Sequence, residues 1–178
     1  MKNLALLGVG NILEKDDGIA IYATTYLEKN YKFEPNIDII NGGVEGINLL
    51  NMFMEYKHII ILDAIEIDDE SGSIYHIPSE KLTGYGLNSG GAHEIGVLQC
   101  FDILELMGKP IPKSSVLGII PHKIEVAIEL SDILTQKFDI YIKTLLSILE
   151  NNQIKIDKIN DISLLEIIEN FKNPKHRF

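Results

Sequence analysis

The chain is 178 residues long, 46% apolar and 24% charged, the make-up of one folded domain rather than a mainly disordered chain. Its 16 Lys and Arg stand against 26 Asp and Glu, a formal charge of −10. So acidic a chain argues against a nucleic-acid partner, whose affinity comes from cations displacing counterions.

From the N-terminus, Leu4–Gly8 reads as a buried strand closed by Gly8-Val9-Gly10-Asn11. That run ends in glycines and acids rather than a small-residue cleavage site, so it is a first strand and not a signal peptide. Residues Asp16 to Lys29 carry apolar positions at helical spacing, and Ile37–Ile40 is a second strand closed by Asn41-Gly42-Gly43. Gly46 to Tyr56 reads as a short helix. His58 to Ala64 holds Ile59-Ile60-Ile61-Leu62 with no polar alternation, a strand that needs cover on both faces and so points to a layered α/β sheet. Asp68-Asp69-Glu70-Ser71-Gly72 is a turn into a strand at Ser73–Ile77, expected to run antiparallel on an edge. Four glycines between Thr83 and Ala92 make a loop, and His93 to Met107 is a helix. Ser115–Ile120 is a further strand, and a helix or helix pair follows over about Glu125 to Leu149, with a break signalled by Ser131-Asp132.

The expected architecture is therefore a single three-layer α/β domain over 1–150. A twisted, mostly parallel sheet of about five strands lies between helices, with one antiparallel edge strand. Residues 151–178 read as an appendage of unknown role with an alternating stretch, a short amphipathic helix and a frayed end. The one cysteine, Cys100, makes no internal disulfide, and its apolar neighbours mark it as a buried structural thiol. No apolar stretch approaches the ~20 residues that cross a bilayer, so the expectation is a soluble, cytoplasmic protein without a membrane partner.

In open parallel sheets, functional groups gather beyond the carboxyl ends of strands. Asp17 follows the first glycine turn, Asp63 ends the strongest strand, and His93 stands where the glycine loop enters a helix. Two carboxylates and an imidazole form a borderline donor set suited to a divalent ion such as zinc or nickel. Each has a plainer reading. Asp16 and Asp17 could cap the following helix, and His93 could be an exposed junction residue. Asp63 is harder to explain that way, because its apolar flanks imply a buried carboxylate in need of a partner. His122, after Pro121 at a strand end, is a candidate supporting group. Gly8-Val9-Gly10 begins like a dinucleotide fingerprint but meets Leu13 where the third glycine belongs. Acids follow, so nucleotide binding is disfavoured and no cofactor-binding residues are assigned.

Five segments in order resemble the hydrogenase maturation endopeptidases. They are Leu7-Gly8-Val9-Gly10-Asn11-Ile12-Leu13 with Asp16-Asp17-Gly18, Gly42-Gly43-Val44-Glu45-Gly46, Ile61-Leu62-Asp63-Ala64, the glycine loop ending in His93, and Gly118-Ile119-Ile120-Pro121 with Glu125 after it. The resemblance covers about residues 2 to 150. It implies an α/β fold and an endopeptidase that removes a short C-terminal peptide from the nickel-loaded precursor of a nickel-iron hydrogenase large subunit. It also implies metal contacts at Asp17, Asp63 and His93; Asn11 and Asp16 are candidates for orienting groups, because ligands need hydrogen-bonded support to hold their rotamer and tautomer. The nickel would be supplied by the precursor, and zinc or another divalent ion could occupy the site in isolation. Two positions depart from the family pattern: Asp17 where glutamate is common, and Asn41 where an acid often precedes the paired glycines. The alternative reading is a chaperone that checks for nickel without cutting. Neither the oligomeric state nor the hydrogenase concerned is encoded in any interpretable residue.

Overall fold

The computed structural model describes residues 2–78, 80–81 and 92–173, apart from the side chains of Ile47 and of residues 92–98. The glycine loop expected over 83–92 thus lies outside the described residues up to position 91, as does the C-terminal end from 174.

Five strands form the central sheet: β1 (Lys2–Val9), β3 (Asp38–Gly43), β4 (Tyr56–Ala64), β5 (Ile74–Pro78) and β6 (Lys113–Ile119). Their order is β3-β1-β4-β6-β5, with every neighbouring pair parallel except β5–β6 at the edge. This is the expected mostly parallel sheet with one antiparallel edge strand. Parallel neighbours require crossovers, and helices supply them on both faces. The helices are α1 (Ile19–Asn30), α2 (Leu50–Phe53) behind a 3₁₀ turn (Gly46–Leu49), α3 (Ala92–Leu106), α4 (Asp132–Asn151) and α5 (Leu164–Lys172).

The period-2 alternation of strand side chains divides the core in two. Leu4, Leu6, Ile60, Leu62, Leu117 and Ile119 pack under α1, α4 and α5. Ala5, Leu7, Ile59, Ile61 and Val116 pack under α2 and α3, where Cys100 is buried as expected. Burial raises the Cys100 thiol above its ordinary pKa.

Two features differ from the sequence reading. Residues 125–131 are loop, and the last long helix begins at Asp132, where the Ser131 hydroxyl accepts the Leu134 amide as N-cap. A second, two-stranded sheet pairs β2 (Tyr31–Glu34) antiparallel with β7 (Lys155–Lys158). The segment read as an appendage, 151–178, supplies β7 and α5 and contributes Ile154, Ile167 and Ile168 to the core. Among the described residues no helix is long and apolar enough to cross a membrane.

Candidate active site at the carboxyl ends of β1 and β4

The chain leaves β1 through Gly10, whose φ of +138° suits only glycine and whose Cβ would fall 2.0 Å from the Asp17 carbonyl oxygen. Gly10 donates its amide to the Gly43 carbonyl at 2.9 Å, tying the turn to the end of β3. Asn11 then donates its amide to Asp17 Oδ2 at 2.6 Å, while its own Oδ1 accepts the Leu13 amide at 3.0 Å as an Asx turn. A 3₁₀ turn over Lys15–Gly18 closes the loop. Six residues beyond Asn11, the Asp17 carboxylate is thereby returned to the end of β1.

Asp63 lies on β4, the next strand. Register pairs Gly8 of β1 with Leu62, and Asp63 with Gly118 of β6. Asp63 is only 3% exposed. Gly118 is required because a Cβ there would sit 2.2 Å from Ile65 Cδ1, so the Ile65 side chain fills the space beside the strand end. From α4, the buried Tyr141 hydroxyl donates to the Leu117 carbonyl at 2.8 Å and accepts the Asp63 amide. Burial pushes this phenol far above its ordinary pKa, so it stays protonated and pins the ends of β4 and β6.

His93 is the second residue of α3. The helix ends at Leu106, shortly before β6 begins, so its first turn lies toward the opposite, carboxyl edge of the sheet, where β4 also ends. The His93 side chain is outside the described residues. Among the described residues, no three His, Cys, Asp or Glu side chains form a group that could hold a metal ion. In the described fold Asp63 stands near the end of β4, and Asp17 in the turn that follows the neighbouring strand β1. Their carboxylate oxygens suit a hard or borderline divalent cation as two of its ligands.

Asp16 and His122 meet in a different way. Asp16 is fully buried, and its carboxylate accepts three backbone amides from the β6–α4 loop. Those of His122 (3.0 Å) and Lys123 (2.8 Å) reach Oδ2, and that of Ser131 (2.7 Å) reaches Oδ1. The His122 residue is exposed. Lys15, in the left-handed region at φ 51°, pairs its ammonium with Glu125 (2.7 Å) and Glu129 (3.4 Å). A non-glycine residue there costs about 1 kcal/mol or more, which these loop contacts offset. Sequence reasoning did not single out Tyr141 or Lys15. Tyr141 sits in an ordinary apolar helix stripe, and Lys15 carries no signal of its backbone conformation.

Comparison with known proteins bears on the family and the fold. A family model described as hydrogenase maturation protease matches residues 21–148, a span containing Asp63 and His93 but beginning after Asp17. The hydrogenase 2 maturation protease of Escherichia coli K12 is 29% identical over 123 residues, 68% of this chain and 75% of that protein. The hydrogenase expression/formation protein HupD of Rhizobium leguminosarum bv. viciae is 26% identical over 123 residues, 68% of this chain but only 61% of that protein. The structure of the hydrogenase maturating endopeptidase HybD from E. coli aligns with a TM-score of 0.80 at 26% identity, covering 89% of this chain and 98% of that one.

Proposed function

The chain belongs to the hydrogenase maturation protease family, and from that premise we propose that it cuts a short C-terminal peptide from the nickel-loaded precursor of a nickel-iron hydrogenase large subunit. What supports the proposal is the position of two acids near the carboxyl ends of the adjacent strands β1 and β4, Asp17 in the turn after β1 and Asp63 on β4 itself. Asp63 is buried beside Gly118, and Asp17 is held by the Asn11 amide.

Nickel enters this reading as part of the substrate, held by Asp17, Asp63 and the imidazole of His93. When bound, a divalent ion polarises a carbonyl or lowers the pKa of a water molecule. The chain's own contribution is orientation. The Asn11 amide fixes the Asp17 carboxylate, the Tyr141 hydroxyl fixes the backbone at Asp63, and the Gly10 turn ties the end of β1 to the end of β3. Hydrolysis moves one proton from water to a base and delivers one to the departing amine. A carboxylate on this edge is a base of the kind required.

Co-expression with large-subunit precursors of the source organism, in medium with and without nickel, tests this reading through the intact mass of each precursor. The expected result is loss of the C-terminal peptide in nickel medium only. A precursor that binds the protein and keeps its full mass in both media would instead identify a non-cleaving chaperone.

A further inference from the structure

The β6–α4 loop is joined to the segment after Asn11 by an isolated parallel bridge between Glu14 and Ala127. The Ala127 amide donates to the Leu13 carbonyl at 3.0 Å, and the Lys15 amide to the Ala127 carbonyl at 2.9 Å. In parallel pairing, the residues just before a bridged pair stand side by side on the opposite face from it. Here they are Leu13 and Val126, which are 53% and 91% exposed, with Ile124 nearby in sequence at 49%.

Single exposed apolar side chains are ordinary. These belong to two segments that the fold goes to some length to hold still. Asp16 commits its buried carboxylate to three amides of the loop. Lys15 is kept in a left-handed conformation with its ammonium on Glu125 and Glu129. Backbone strain sustained by its surroundings accompanies functional sites. A fixed apolar surface presented to water has the character of a recognition surface. It is also continuous with the candidate active site, since Asn11 receives the Leu13 amide on its side chain and donates its own amide to Asp17.

We propose that Leu13, Ile124 and Val126 form the rim on which the precursor docks, receiving apolar side chains of an extended segment next to the bond to be cut. The charge of the surroundings specifies that segment further. Lys15 is matched by its two glutamates, the exposed Lys123 beside Ile124 interacts with Glu125, and the whole chain carries −10. A segment combining apolar residues with lysine or arginine fits this surface, whereas a second copy of this acidic chain would be repelled. The inference rests on the reading of the chain as a protease of the precursor.

Steady-state cleavage of the uncut precursor, followed by intact mass, tests it with the wild type, Leu13→Ser/Val126→Ser, Val126→Lys and Asp63→Asn. Both rim variants are expected to melt at the wild-type temperature and to raise KM at least tenfold with kcat within twofold, the lysine variant by repelling the basic segment. Asp63→Asn, a change in the site itself, is expected to lose kcat. If the double-serine variant folds poorly, the singly changed Val126→Lys gives the same reading. A KM within twofold of wild type in the folded rim variants, or a fall in kcat alone, overturns the docking inference and leaves the protease reading standing. A wild-type protein that leaves the precursor whole overturns both.

Discussion

Asp16 and Asp17 are neighbours of the same type with separate tasks. Asp16 is buried and bound to three amides, so it belongs to the scaffold of the β6–α4 loop. Asp17 takes the Asn11 backbone amide at the sheet edge. Hydrogen bonds to a charged acceptor contribute about 1.5–3 kcal/mol each. Asp16→Ala, which also leaves the buried Ser131 amide without its acceptor, should therefore cost about 3 kcal/mol or more. Asp17→Asn preserves an acceptor oxygen and should cost under about 1 kcal/mol. Urea-unfolding midpoints of the two variants check this, and equal costs would contradict the division of roles. Residue spacing showed that both acids follow a glycine turn, but not which was which. The difference is made by the 3₁₀ turn and the left-handed Lys15, features that residue identity alone does not announce. Asp63 was more legible, because an acid inside an unbroken run of isoleucine and leucine has no ordinary explanation.

At the scale of elements, the parallel strands and their helices were readable because continuous apolar runs and 3.6-residue periodicity are local signals. The β2–β7 pair was not, since its strands lie more than 100 residues apart and β2 begins directly where α1 ends, with no turn residues between. The start of α4 was signalled by Ser131-Asp132. The preceding seven residues are kept from helix by the Asp16 contacts, a long-range cause. A pH effect also belongs here. At the amino end of the sheet, His58 of β4 is half-buried next to Lys113 of β6, its register partner. His76 of β5 hydrogen-bonds Ser115 Oγ at 2.9 Å and keeps one side exposed. Burial lowers the pKa of both histidines, and for His58 the Lys113 ammonium and His76 lower it further. Below the unfolded value of about 6.5 the unfolded chain then binds more protons than the folded one, so stability falls as pH falls from there towards the depressed folded values. Urea midpoints between pH 5 and 8 should show this decline, and His58→Gln with His76→Gln should flatten it. An unchanged slope in that variant would contradict the assignment.

For the molecule as a whole, the C-terminal segment is part of the folded body. Ile154, Ile167 and Ile168 are buried in the core under α1 and α4, and Phe171 meets the Tyr22 ring edge-on at 5.6 Å. Burying one such side chain contributes about 1.5–3 kcal/mol. Removing residues 153–178 should then cost several kcal/mol, a fall in melting temperature of about 10 °C or more at roughly 2–4 °C per kcal/mol. Unchanged melting would restore the segment to the standing of a dispensable appendage. The protease family and the sheet were both legible in five short motifs. Those motifs mark glycines and acids at strand ends, where geometry leaves little choice of residue. The packing of the tail has no such marker, because its isoleucines look like those of any amphipathic helix.

Peptide hydrolysis is proposed to take place at the carboxyl edge of β1 and β4. Its most direct measurement is single-turnover cleavage of purified nickel-loaded precursor by Asp17→Asn, Asp63→Asn and His93→Ala, each first shown to melt near the wild-type temperature. Each folded variant is predicted to cut at least a hundredfold more slowly than wild type. Cleavage at the wild-type rate by any one of them would contradict that residue's place in the site, and by all three would move the chemistry elsewhere on the molecule.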